Sequence, residues 1–335
     1  MMVSRFGISL GVSPRESFEK VGEIAKAAEA RGFEVLWFID HQLGMKDVYT
    51  AMNIAAIATE KIRIGSAVTN LQTRHPTVTA NATTALDELS SRRAMLGIGA
   101  GWVAVHSIGK LPNKLGEMRQ GIEEFRQLFS GEEAELYGTT VRLATARRQI
   151  PIYLAVSQPG MLRLAGEACD GAILMGAADP DFCKWQLDYI YQGLEKGGRT
   201  RNEIVIDLIV TMSIDEDKEK ALNDVRAWAT SQAATFAVWK TIPTAWERFR
   251  PEFTRAEEAY HYEDHLSLRA EHKQIVSDEF VQSVAVAGDV ETCAARLQEV
   301  AALDIDRITF ALLSGGRLRR LEELATELIP RMRAG

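Results

Sequence analysis

The feature that most constrains this fold is a unit that recurs along the chain: a short apolar run, a break rich in Gly, Ser and Thr, then an amphipathic helix. The stretch Ile64–Trp102 shows it most fully, and its first strand begins just upstream. Ile62–Val68 reads as a β-branched strand, Thr69–Thr73 as a polar turn, Pro76–Leu89 as an Ala/Thr-rich helix, and Ala94–Ile98 as a second strand that runs into Gly97-Ile98-Gly99-Ala100-Gly101. Pro76 suits the first turn of a helix, where its missing N–H leaves no bond unmade. Two strands joined through a helix are most simply parallel, since a parallel pair needs a long crossover. Phe33–Ile39 is apolar without alternation, as in a strand covered on both faces.

Strands of this kind begin near residues 5, 34, 62, 94, 151, 171, 204 and 307, each followed by a helical pattern. Eight such units imply one closed parallel (β/α)8 barrel over residues 1–335, with an open doubly wound sheet as the rival. The strand readings are Arg5–Leu10, Ile150–Val156, Gly171–Met175, Ile204–Met212 and Arg307–Leu312, besides those above. A polar excursion at Gly131–Gln149 reads as a small hairpin, Ala134–Tyr137 with Val141–Leu143, about Gly138. The order breaks over Met212–Gln282, which reads as inserted helices, and Ser283–Val286 is a minor extra strand or a connector. The His and aromatic cluster Tyr260–His265 reads as a solvated helix, with a lid as the alternative.

Composition narrows the function. A net charge of −7 gives no general affinity for nucleic acid or anionic lipid. No apolar run approaches the ~18 residues of a membrane span. Cys169, Cys183 and Cys293 lack metal-ligand spacing, are odd in number, and are most simply buried apolar residues. With no basic region and apolar core at the N-terminus, the expectation is a cytoplasmic protein without a metal site.

In a β/α barrel, ligands bind at the C-terminal ends of the strands. Here those ends are Ser9–Gly11, Asp40-His41, Ala67–Asn70, Gly99–Trp102, Ala155–Gln158, Gly176–Ala178, Met212-Ser213 and Leu313–Gly316. Small residues dominate, which suits a flat ligand held by backbone groups. Asp40-His41 is the sharpest polar pair: an imidazole able to move a proton beside a carboxylate able to bond a cofactor edge, or else a plain helix-entry cap. The glycines at 97, 99 and 101 match a dinucleotide fingerprint only loosely, since Trp102 stands where a third glycine belongs. Ser157-Gln158-Pro159-Gly160 opens a helix whose N-terminal amides suit a phosphate, or are simply capped. Arg74 and His75 read as structural, touching the neighbouring helix or a subunit partner.

These same residues resemble the luciferase-like monooxygenase superfamily, and within it the F420-dependent methylenetetrahydromethanopterin reductase-like branch. The resemblance lies in GFEVLWFIDH, in IGSAVTNLQTRHPTVTANATTALDELSSRRAMLGIGAG, in PIYLAVSQPGMLRLAGEACDGAIL and in VAVAGDVETCAARLQEVAALDIDRITF, which together span nearly all the chain outside Met212–Gln282. It implies a (β/α)8 barrel with a deazaflavin, coenzyme F420, in its mouth. A non-prolyl cis peptide at Ala67–Val68 would back the ring, with backbone of Thr69 and Ala100 along its edge. Asp40 would bond the ring's polar edge, and His41 would be the catalytic histidine. Ala155, Val156, Ser157, Gln158 and Gly176 would form the phosphate side. Trp102 stands where the dehydrogenases of the branch carry a catalytic glutamate, and Met45 where they carry an aromatic residue, so both are placed in the substrate pocket. A homodimer is implied, through the helices that flank strands two to four. The expected activity is hydride transfer between the deazaflavin C5 and a small organic substrate. The alternatives are an FMN-dependent two-component monooxygenase on the same barrel, and a cofactor-free binding protein in which Trp102 fills the ring site.

Overall fold

The computed structural model describes residues 5–259, 275–312 and 316–334. Its strands are β1 (Arg5–Leu10), β2 (Val35–Phe38), β3 (Arg63–Ser66), β4 (Ala94–Ile98), β5 (Ala134–Leu136), β6 (Thr139–Val141), β7 (Ile152–Val156), β8 (Gly171–Leu174), β9 (Val205–Val210), β10 (Met212–Ile214), β11 (Val286–Gly288) and β12 (Arg307–Leu312). Eight of them close a parallel barrel in the order β1, β2, β3, β4, β7, β8, β9, β12, with β12 returning to β1. Helices follow the strands and shield them, so both strand faces are buried and β2, β4 and β8 carry no exposed residue. Local chemistry sets the helix starts. Asp47, Asp179 and Asp289 each accept a backbone N–H three residues on, capping the helices Val48–Ala58, Pro180–Lys196 and Val290–Ala301.

Three sequence readings change. Ile204–Met212 is not one strand: it breaks at Thr211, and β10 leaves the barrel to pair in parallel with β11. Apolar continuity is the same whether a strand stays in one sheet or bends into another, so the sequence carries no mark of the break. The extra strand lies at Val286–Gly288, because residues 283 and 284 still belong to the helix Asp278–Val284. The hairpin is shifted, with Leu136 opposite Thr139 around left-handed Tyr137 and Gly138. A short helix, Val103–His106, also follows β4 without a sequence signal. The cluster Tyr260–His265 lies outside the described residues.

Two features hold the frame. Inside the barrel, Asp207 on β9 and Arg307 on β12 are register partners and form an ion pair at 2.8 Å, with side chains 0% and 3% exposed. The Asp207 carboxylate also accepts from Trp37 Nε1 and from Thr309 Oγ1, both at 2.7 Å. Burial works against the Arg307 charge, but Asp207 more than offsets it and raises the pKa above the ordinary value. Outside the barrel, the insertion has a core of its own. Phe236, Trp246, Phe249, Phe253 and Phe280 are buried together and pack on Phe182 of the barrel helix Pro180–Lys196.

Candidate active site

The mouth of the barrel is shaped by a defect in one strand pair. Ile64 and Gly65 of β3 pair with Ala94 and Met95 of β4, and the ladder resumes where Thr69 bridges Ile98. One extra residue therefore sits on the β3 side, a β-bulge, a device that re-aims a strand end. The Ala67–Val68 peptide within it is cis, at the position the resemblance implies. Backbone bonds seal both flanks: Ala67 N–H donates to Phe38 O at 2.7 Å, Thr69 N–H to Gly97 O at 3.0 Å, and Gly99 N–H to Thr69 O at 2.9 Å. The glycines at 97, on β4, and 99, just past its end, exist for this approach. A Cβ at Gly97 would collide with the Ser66 carbonyl oxygen, and one at Gly99 would lie 2.8 Å from Val68 Cγ2.

Asp40, at the end of β2, is buried and anchors the bulge. Its Oδ2 accepts from Thr69 Oγ1 at 2.7 Å and also takes Arg74 Nη1. The second guanidinium nitrogen reaches Asp40 Oδ1 at 3.4 Å and Asp47 at 3.6 Å, and the guanidinium carbon stands 5.1 Å from the centroid of the Tyr49 ring. Burial disfavours the charge of Arg74, but the Asp40 carboxylate outweighs that and raises its pKa. Arg74 thus braces Asp40 and touches the neighbouring helix through Tyr49, in line with a structural reading. His75 also serves structure: it caps the helix Pro76–Leu89 and packs on Tyr137 with centroids 4.5 Å apart.

The other sequence-derived residues lie around the same rim. His41 is half-buried, and its Nδ1 accepts from Gly44 N–H at 2.8 Å. Met45 packs onto Gly11 at the end of β1. Ala100 O accepts from Asn113 N–H at 2.7 Å, which folds back the loop after β4. Trp102 starts the helix Val103–His106 and lies edge-on to His106 with centroids 4.8 Å apart. Ala155 stands beside Gly99, and Val156, Ser157 and Gln158 lead from β7 into the helix Pro159–Ala168. Gln158 does not cap that helix; its Nε2 instead donates to Thr241 O of the insertion at 3.0 Å. Gly176, after β8, is left-handed at φ 122° and packs under Phe182. Bulge, imidazole, carboxylate and open helix N-terminus thus occupy the ends of neighbouring strands β2, β3, β4, β7 and β8. Two buried acceptors on these loops, Gln42 Oε1 and Asn113 Oδ1, have no partner among the described residues.

The model of a family described as luciferase-like monooxygenase matches residues 1–307. A 5,10-methylenetetrahydromethanopterin reductase of Methanopyrus kandleri is 28% identical over 353 residues, covering 97% of each chain. One from Methanolobus tindarius is 32% identical over 223 residues, covering 64% of this chain and 67% of the relative. The solved coenzyme F420-dependent tetrahydromethanopterin reductase of Methanopyrus kandleri superposes with a TM-score of 0.81 at 23% identity, over 98% of this chain and 100% of that one.

Proposed function

The chain belongs to the luciferase-like monooxygenase family, and from that premise we propose that it is an F420-dependent oxidoreductase of the methylenetetrahydromethanopterin reductase-like branch. The observation that carries the reading is the bulged end of β3, held against Asp40 by Thr69 and flanked by the glycines at 97 and 99. Gly97 and Gly99 let the bulge close against β4, and a flat ring would lie along the edge so formed. The fit is supported by the orphaned acceptors of Gln42 and Asn113 and by the helix Pro159–Ala168, whose first amides no side chain caps, a ready place for a phosphate.

Bound there, the deazaflavin supplies the hydride chemistry, and the protein supplies position and charge. Ala67, Val68, Thr69 and Ala100 line the ring, and Ala155, Val156, Ser157, Gln158 and Gly176 hold the phosphate side. Asp40 keeps Thr69 and the bulge in place, with Arg74 balancing its charge. His41 meets the substrate's polar atom, and Trp102 and Met45 bound the substrate's side of the mouth. The packing of Trp102 on His106 favours a cofactor-binding protein over one whose indole fills the ring slot. A homodimer is supported by Ile57, Val78 and Leu89, apolar and exposed on the helices after β2 and β3. Three free, buried thiols suit a reducing cytoplasm.

Titration with coenzyme F420 and, separately, with FMN, followed by ring fluorescence, tests the reading. Saturable binding of F420 alone is the expected result. Binding of FMN alone, with NAD(P)H-fed oxygen uptake, would make the protein a monooxygenase. Binding of neither would leave a barrel without redox chemistry.

A further inference from the structure

We infer that Gly44 is a positioning residue for His41: its amide holds the imidazole in the tautomer that carries the proton on Nε2, so the open side of His41 is a hydrogen-bond donor. The inference rests on the proposed function only in treating the mouth as the reaction site; the tautomer itself follows from the local backbone.

After β2 the chain turns tightly. Gly44 N–H and Met45 N–H both reach back to His41 O, at 3.0 and 2.8 Å. The same Gly44 N–H points at His41 Nδ1, 2.8 Å away. A backbone N–H cannot sit against a second N–H, so Nδ1 offers its lone pair, and the one proton of the neutral ring is on Nε2. That Nε2 bonds to no other described residue, and it is not among the polar atoms sealed from solvent. The turn also explains the glycine. A Cβ at position 44 would lie 2.7 Å from His41 Nδ1 and 3.0 Å from Cε1, so any side chain displaces the ring.

The chemical consequence is directional. An imidazole held this way gives a hydrogen bond through Nε2 and cannot take a proton on that atom. A group that docks on His41 does so through a lone pair. His41 then polarises that group, and removing a proton from it requires another base, such as water. The bond from Gly44 is a fixed dipole of the kind that orients catalytic histidines from behind.

The tautomer is readable without any cofactor, by long-range ¹H–¹⁵N correlation of the imidazoles in uniformly ¹⁵N-labelled protein. Spectra would be taken about two pH units above the ordinary imidazole pKa of ~6.5. The six histidines are sorted by subtracting the spectrum of His41→Gln. The expected pattern for His41 is a protonated Nε2 and a bare Nδ1. Gly44→Ala should replace it with a mixture of tautomers and lower kcat of the F420-linked reaction by about 10²-fold, the usual cost of a misplaced catalytic group. A protonated Nδ1 in the unaltered protein overturns the inference, whether or not Gly44→Ala folds. So does a folded Gly44→Ala that keeps both the pattern and kcat. Failure to bind F420 would sink the proposed function and leave the tautomer result standing.

Discussion

Replacing Asp207 by Asn tests how the barrel interior is held together. The carboxylate has no exposure, and Arg307, its partner, is 2% exposed. Removing one member of such a pair leaves an uncompensated buried charge and costs roughly 3–5 kcal/mol. The local bonding places Asp207→Asn at the low end. Oδ2 accepts from both Trp37 Nε1 and Arg307 Nε, whereas Oδ1 accepts only from Thr309 Oγ1. The new amide therefore turns its NH2 towards Thr309, whose hydroxyl accepts, and keeps its oxygen for the two nitrogens. The bonds from Trp37 and Arg307 survive and the contact with Thr309 is kept with its direction reversed, so the loss is chiefly that of the charge and about 3 kcal/mol is expected. At about 2 °C per kcal/mol for a chain of this size, the melting temperature falls by about 6 °C. Asp207→Leu also strips the acceptors from Trp37 and Thr309 and should cost more, at about 1–3 kcal/mol for each orphaned donor. Urea unfolding followed by tryptophan fluorescence, with the Arg307→Met single and Asp207→Asn/Arg307→Met double variants, gives the coupling. The double variant should be less destabilised than the sum of the singles by more than 1 kcal/mol. A loss below about 1 kcal/mol for Asp207→Asn, or simple additivity, would refute the claim that the pair is tightly coupled.

Other outcomes follow from the mouth and the thiols. Gly97→Ala drives a methyl into the Ser66 carbonyl, so the bulge must shift; a stability loss of about 1–3 kcal/mol or more and much weaker F420 fluorescence quenching are expected, and unchanged binding would show that the bulge does not shape the ring site. Arg74→Gln leaves Asp40 buried with only Thr69. Because Arg74 is 19% exposed, the expected loss is smaller than for Asp207, about 2 kcal/mol by denaturant titration, and Arg74→Lys should recover part of it. Burial pushes the thiols of Cys169, Cys183 and Cys293 up from 9.0 to about 12. The folded protein thus keeps these protons where the unfolded chain loses them. Stability is unaffected below the unfolded value and falls as pH rises from 9.0 towards about 12, an alkaline loss that Cys→Ala replacements should reduce.

The barrel was legible because its strands are apolar on both faces and bounded by punctuation. Arg5–Leu10, Ala94–Ile98 and Arg307–Leu312 stand where the sequence places them. The cis peptide was legible only through resemblance, since nothing in Ala67-Val68 differs from an ordinary strand. The Arg74–Asp40 pair was not, because a long side chain reaches back 34 residues and no local pattern records the distance. Asp207 did leave a trace: a carboxylate within the apolar run VIDLIV needs a buried partner, but Arg5, Arg63 and Arg307 each open a barrel strand and only the register of β9 with β12 selects Arg307.

The aromatic core of the insertion bears on how such enzymes can be re-engineered. Phe182 belongs to a helix of the barrel, yet its ring lies among Phe236, Trp239 and Trp246. The seam between scaffold and insert is therefore stitched by a residue outside the insert. A chimera that exchanges residues 212–282 alone would press a foreign surface against an orphaned phenyl ring. One that carries position 182 along with the graft keeps the central ring of the joint with its partners.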